Sequence, residues 1–168
     1  SRLSRGLGDV YKRQDYYIFT SEDDFKNKVS NDFFLEHALV HGNFYGTSKD
    51  FVETKIAEGI NIILEIDVQG VQQIKSTNFP HESIFLLPPS IESLTERLNE
   101  RGTNSKESIE LRLSNAMKEI PSCKDYDHIL VNDVFEDCCN DLARIITGED
   151  SFPMNSKKEL FLTKLLNS

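Results

Sequence analysis

Short apolar segments alternate along this chain with longer segments in which apolar residues recur every three or four positions. The short segments predict strands, and the longer ones predict amphipathic helices. The predicted strands read DYYIF, FLEHALV, NIILEID, SIFLLPP and HILVN, and they begin at residues 15, 34, 61, 83 and 128. This alternation indicates an α/β fold with a mainly parallel sheet and helices packed against it.

Polar residues in front of the apolar periods predict where the helices begin. Ser21 starts a Ser-x-x-Asp capping box, and Ser48 and Ser90 precede the next helical patterns. Gly59 is placed to end the helix that follows Ser48. Further helices are predicted around residues 71–74, over 105–120 and 134–147, and around 160–166.

The bulk composition argues against several classes of protein. A length of 168 residues suits one domain with a small additional lobe. The formal net charge of −9 disfavours nucleic acid or an anionic membrane as a partner, but it allows a small phosphorylated ligand held by a local basic cluster. An odd number of cysteines favours a reducing, cytoplasmic location. No apolar run approaches the roughly 20 residues of a membrane span.

The first fourteen residues, SRLSRGLGDVYKRQ, carry four basic residues and one acidic residue and show no sustained apolar period. They are either a disordered basic arm or a foreign leader, and the second interpretation is favoured. We expect a domain over 15–147, divided into a small lobe at 15–48 and a core at 49–147. A C-terminal tail or helix at 148–168 follows.

The stretch FLEHALVHGNFYGTS, which begins at residue 34, combines a strand pattern with unusual polar residues. Glu36 is a lone carboxylate in an otherwise apolar strand, and hydroxyls follow at Tyr45, Thr47 and Ser48. Two glycines in the same stretch permit a turn or a close approach of a ligand. The stretch therefore predicts a binding site for a polar ligand.

Two acids and three arginines form further candidate sites. Glu65 and Asp67 end the run NIILEID two positions apart, which puts both on one face of a strand. The alternative is a strand end in solvent, with Asp67 capping the next helix. Arg97 and Arg101 share a helix face, and Arg112 follows on the next helix, so all three could hold phosphate oxygens. The alternative for the arginines is a solvated, charged surface.

Four stretches resemble the guanylate kinase family, in its order and at its spacing. They are FLEHALVHGNFYGTS, IILEIDVQGVQQIK, IFLLPPSIESLTERLNERGTNSKESIELRLSNA and HILVNDVFEDCCNDL. The resemblance covers residues 15 to about 145 and implies a P-loop α/β fold with a parallel sheet, a small mixed GMP-binding lobe and a helical lid. It also implies transfer of the terminal phosphoryl group of ATP to GMP, with Mg²⁺ carried by the ATP.

The resemblance implies roles for five residues on the GMP side. Glu36 matches the family's glutamate that accepts from guanine N1–H and the exocyclic amine, and Thr47 matches a hydroxyl that also touches the base. Tyr17 and Tyr45 match tyrosines that donate to the GMP phosphate. Asp67 matches an acid near the base.

It likewise implies roles on the ATP side. Arg101 and Arg112 match lid and hinge arginines that neutralise charge during transfer, and Arg97 is placed with them. Glu65 stands where many members have aspartate, close to the reacting phosphates and the metal. Asn132 lies where the family's loop approaches the adenine.

One family motif is missing. None of the eight glycines belongs to a GxxxxGK[ST] sequence, the loop that cradles ATP phosphates. We therefore expect the carboxyl portion of a guanylate kinase that is inactive by itself. Two alternatives remain: a guanylate-kinase-like module that binds phosphopeptides without catalysis, and a ribose bisphosphate phosphokinase, which would not need the base-reading Glu36 and Thr47.

Overall fold

The computed structural model describes residues 2–3, 18–40, 42–100 and 106–167. Within them the strands are β1 (Arg2–Leu3), β2 (Ile18–Phe19), β3 (Phe34–Val40), β4 (Asn43–Ser48), β5 (Ile84–Leu87) and β6 (His128–Val131). The α-helices are α1 (Glu22–Ser30), α2 (Lys49–Ala57), α3 (Val68–Ser76), α4 (Ile91–Glu100), α5 (Lys106–Glu119), α6 (Phe135–Ile146) and α7 (Ser156–Asn167), and a 3₁₀ helix covers Ile120–Asp125. The chain divides into two compact units, Ser1–His81 and Glu82–Ser168.

The first unit contains a four-stranded mixed sheet in the order β2-β1-β4-β3. Strands β3 and β4 form an antiparallel hairpin with a bulge between Phe34 and Glu36, and β1 runs parallel to β4. The ring of Phe34 stacks on Phe25 of α1, with 4.6 Å between ring centroids. Leu35 packs with Val52 of α2 and Ile74 of α3. Helices therefore anchor the hairpin through two neighbouring residues of β3.

The second unit is built on the parallel pair β5–β6, in register from Ile84 opposite His128 to Leu87 opposite Val131. Its core packs Leu87 and Ile129 against Leu162 and Leu165 of α7. The C-terminal helix is therefore part of this core.

The predicted helix starts are confirmed by capping hydrogen bonds. Ser21 accepts from the backbone N–H of Asp24, and Ser48 accepts from the N–H of Phe51. Each bond satisfies one of the amide donors that the first turn of a helix leaves without a partner.

The prediction of a strand at NIILEID is wrong for this structure. Residues 61–67 form no strand, and none of the described strands pairs with them. Ile62, Leu64 and Ile66 pack towards the core, whereas Ile63 is 68% exposed. The segment thus has the alternation of a strand, but a strand also needs hydrogen bonds to a neighbour, which side-chain burial does not supply.

In the described part of the chain, every helix is too short or too polar to span a bilayer.

Candidate functional site

The most unusual feature of the first unit is a buried carboxylate. Glu36 is only 5% exposed and lies on β3 directly opposite Thr47 of β4. The Thr47 hydroxyl, which is 3% exposed, donates to Oε1 of Glu36 over 2.6 Å. A carboxylate offers about four acceptor positions, and Thr47 uses one of them. The strand pairing therefore brings the two predicted base-contacting residues into direct contact.

Helix α3 packs closely against this carboxylate. A Cβ placed on Gly70 would lie 2.7 Å from Oε2 of Glu36, closer than real Cβ contacts allow. A side chain at this position would therefore require the carboxylate of Glu36 to shift. Asp67 begins the same helix, and its Oδ1 accepts from the N–H of Gly70 over 3.0 Å. The structure thus shows the capping role that was the alternative for Asp67.

A second contact joins α3 to the strand that carries Glu36. The side-chain amide of Gln73 donates to the carbonyl of His37 over 2.7 Å and accepts from the N–H of His37 over 3.0 Å. Among the described strands β3 lies at the edge of the sheet, and because one residue of an antiparallel strand directs its N–H and C=O to the same side, these groups of His37 point away from β4. The Gln73 amide binds them as a neighbouring strand would.

The remaining residues predicted for the GMP side are placed as follows. Tyr45 lies on β4 opposite Ala38 and is half-buried. Tyr45 and Thr47 are two positions apart on β4, so they share the face of the hairpin that carries Glu36. Tyr17 lies outside the described residues.

Two predicted ATP-side residues meet in the second unit. The Nη1 of Arg97 on α4 donates to the backbone carbonyl of Asn132 over 2.9 Å. Both line a cavity of about 260 Å³ with Leu86, Leu87, Pro88, Leu94 and Leu98. Asn132 directly follows β6 and Pro88 directly follows β5, so the cavity lies at the carboxyl ends of two parallel strands. Ligands bind at that edge in open α/β sheets.

Arg112, on α5, has a guanidinium with an unsatisfied nitrogen. Its Nε is buried and has no hydrogen-bond partner. A buried donor of this kind is costly unless an acceptor binds it, and an arginine pairs best with a carboxylate or phosphate. Arg97 and Arg112 are therefore not part of a fully solvated, charged surface, which was the alternative interpretation of these arginines. Arg101 lies outside the described residues, and Glu65 is exposed at the end of the segment 61–67.

Gly70 and Gln73 were missed at the level of sequence. A glycine in the first turn of a helix is a poor helix former, which indicates close packing at that position. Gln72 and Gln73 look alike in sequence. Which of them faces β3 depends on the rotation of α3 about its axis.

Comparisons with known proteins identify the family of this chain. The family described as guanylate kinase matches residues 8–149. The guanylate kinase of Escherichia coli K12 is 45% identical over 136 residues, which are 80% of this chain and 65% of that protein. The guanylate kinase of Buchnera aphidicola is 40% identical over 153 residues, 90% of this chain and 74% of that protein. The chain therefore belongs to the guanylate kinase family.

A solved structure supports the fold. The crystal structure of guanylate kinase from Anaplasma phagocytophilum matches with a TM-score of 0.69 and 28% identity, over 98% of this chain and 83% of that one. This match confirms the predicted α/β fold class of P-loop nucleoside monophosphate kinases. The chain spans about 65% of the length of the Escherichia coli relatives.

Proposed function

We propose that this chain carries the acceptor site of a guanylate kinase, which transfers the terminal phosphoryl group of ATP to GMP and gives ADP and GDP. The observation that carries the proposal is the buried carboxylate of Glu36, hydrogen-bonded to Thr47. A carboxylate can accept the parallel N1–H and amine donors of guanine. Adenine lacks this pair of donors, so the same carboxylate also selects the base.

The remaining roles on the GMP side complete the proposed acceptor site. Tyr45 and Tyr17 donate to the GMP phosphate, because a phenol O–H is a good donor to an anionic oxygen. Asp67 contributes near the base in addition to capping α3. Tyr45 shares the hairpin face of Glu36, which supports a single ligand touching both residues.

For the donor side, we propose that the cavity lined by Arg97 and Asn132 receives part of ATP. Arg112 and Arg101 neutralise the charge of the phosphoryl group during transfer, and the unsatisfied Nε of Arg112 supports an anionic partner for it. In such reactions positioning and charge neutralisation account for most of the catalysis.

Mg²⁺ enters with ATP as part of the substrate. Among the described residues, no group of three or more His, Cys, Asp or Glu side chains is placed to hold a metal ion. Mg²⁺ commonly binds through one or two carboxylates together with substrate phosphates. The exposed carboxylate of Glu65 fits that donor type and is the residue we assign near the metal.

We also propose that residues 1–168 by themselves catalyse phosphoryl transfer only slowly. These residues contain no GxxxxGK[ST] sequence, whose backbone amides and lysine hold ATP phosphates in this class of enzyme. We further propose a cytoplasmic location, which the odd number of cysteines favours. The net charge of −9 disfavours nucleic acid or a membrane as a partner.

The experiment is a calorimetric titration of the chain with GMP, AMP, ribose 1,5-bisphosphate and a phosphoserine peptide. Binding of GMP with clear preference over AMP supports the proposal. Preference for the bisphosphate indicates the phosphokinase, and binding of the peptide alone indicates the non-catalytic module. Either of these two results, or equal affinity for GMP and AMP, overturns it.

A further inference from the structure

We propose that Gln73 is a positioning residue for the base pocket, acting through the backbone of β3 on the carboxylate of Glu36. This inference rests on the proposed function of Glu36. It assigns base selectivity to a residue that need not touch the nucleotide.

The geometry places Gln73 next to the residue that follows Glu36. Its amide satisfies both the N–H and the carbonyl of His37, at 3.0 and 2.7 Å. Because both atoms of the amide are used, the position of the strand along α3 is fixed as well as its distance from the helix. A single hydrogen bond would leave the strand free to pivot.

The bulge makes this anchor important. Strand β3 is irregular between Phe34 and Glu36, so its pairing with β4 is interrupted immediately before the acid. Bulged strands bend locally and lose regular ladder bonds. The two bonds from Gln73 to His37 hold the strand on its other edge, one residue after Glu36.

Gly70 provides the second restraint from the same helix. One turn before Gln73, its Cα faces Oε2 of Glu36 so closely that a Cβ would lie 2.7 Å away. Helix α3 therefore fixes the backbone of β3 through Gln73, and at Gly70 it limits the space in which the carboxylate of Glu36 can move. A carboxylate that must accept two parallel donors tolerates little displacement, since hydrogen bonds weaken steeply with angle.

The test compares Gln73→Met with Gln72→Met in titrations with GMP and AMP. Gln72 has the same side chain one position earlier on α3 and is exposed, so it is a matched control. We expect Gln73→Met to lower the affinity for GMP at least fivefold and the affinity for AMP less than twofold, whereas Gln72→Met should change neither affinity. A purely structural role would lower thermal stability but leave the ratio of GMP to AMP affinity in the folded protein unchanged.

A double-mutant cycle tests whether the effect passes through Glu36. In a Glu36→Gln background, Gln73→Met should change GMP affinity less than twofold, since coupled residues are not additive. Amide hydrogen exchange gives a readout without nucleotide: the His37 N–H should lose protection in Gln73→Met and keep it in Gln72→Met.

The possible failures are distinguishable. If the unaltered chain binds GMP selectively but Gln73→Met behaves as Gln72→Met does, the positioning role is overturned and the proposed function stands. If Gln73→Met lowers the affinity for GMP by the same factor whether Glu36 is intact or replaced, Gln73 does not act through Glu36, and the inference is wrong. If the unaltered chain shows no preference for GMP, the proposed function fails and this inference fails with it.

Discussion

The Thr47 hydroxyl donates to a carboxylate oxygen of Glu36 over 2.6 Å, and both side chains are at most 5% exposed. Burying an acid without partners is expensive, so this hydrogen bond offsets part of the cost of placing Glu36 in the hairpin. The pair joins adjacent strands, and its contribution is therefore testable without any ligand.

Replacing Thr47 with valine should destabilise the first unit by about 1–3 kcal/mol, because valine keeps the shape but leaves a buried acceptor without its donor. Thr47→Ser keeps the hydroxyl and should cost less. Urea unfolding followed by circular dichroism measures both. Equal stability of Thr47→Val and the unaltered chain would show that the hydrogen bond contributes nothing.

Gly70→Ala should weaken GMP binding although alanine is the better helix former by about 1 kcal/mol. The new Cβ would lie 2.7 Å from Oε2 of Glu36 and 3.2 Å from Cβ of Ile66, so the carboxylate has to move. Gln69→Ala, at an exposed position of the same helix, is the control and should leave GMP affinity unchanged. An increase in stability with unaltered GMP affinity for Gly70→Ala would show that the site has room.

Arg112→Ala should lower turnover roughly 10³-fold or more with little change in GMP affinity, because its charge acts on the transferring phosphoryl group. The measurement needs a version of the chain fused to a GxxxxGK[ST] segment from an active relative. Arg144→Ala is a suitable control, since Arg144 forms an exposed ion pair with Asp150 in the same unit. Unchanged turnover with a higher KM for GMP would make Arg112 a ground-state anchor instead.

The three cysteines should differ sharply in reactivity. Burial raises the pKa of the Cys123 and Cys138 thiols, whereas Cys139 is exposed. A thiol-specific chromogenic reagent at pH 8 should label one cysteine in the native protein and three after denaturation, because the thiolate is the reactive form. Rapid labelling of all three in the native protein would contradict the packing of the second unit.

The sequence pattern predicted the features that depend on local chemistry. The caps at Ser21 and Ser48 need only a hydroxyl in front of an apolar period. Glu36 was predicted to be a ligand-binding residue because a lone acid is unusual in an apolar strand, and the structure shows that it is buried. The sequence linked Glu36 to Thr47 only through a base that both would touch, whereas the structure shows a direct hydrogen bond between them.

Features set by packing between elements could not be predicted in the same way. Residues 61–67 have the composition of a buried strand but no described strand beside them. The contact of Gln73 with His37 depends on how α3 is rotated against β3, which neither segment encodes by itself. The shared cavity of Arg97 and Asn132 likewise needs the fold, since 35 residues separate them.

The most direct test of the central claim is a titration of Glu36→Gln with GMP and with AMP, beside the unaltered chain and the exposed control Glu53→Gln. An amide accepts from only one of the two guanine donors and presents its own N–H to the other. We predict a loss of about 1–3 kcal/mol for GMP, with AMP and the control unchanged. An equal loss for GMP and AMP, or no loss for either, would contradict the assignment of Glu36 as the residue that reads guanine.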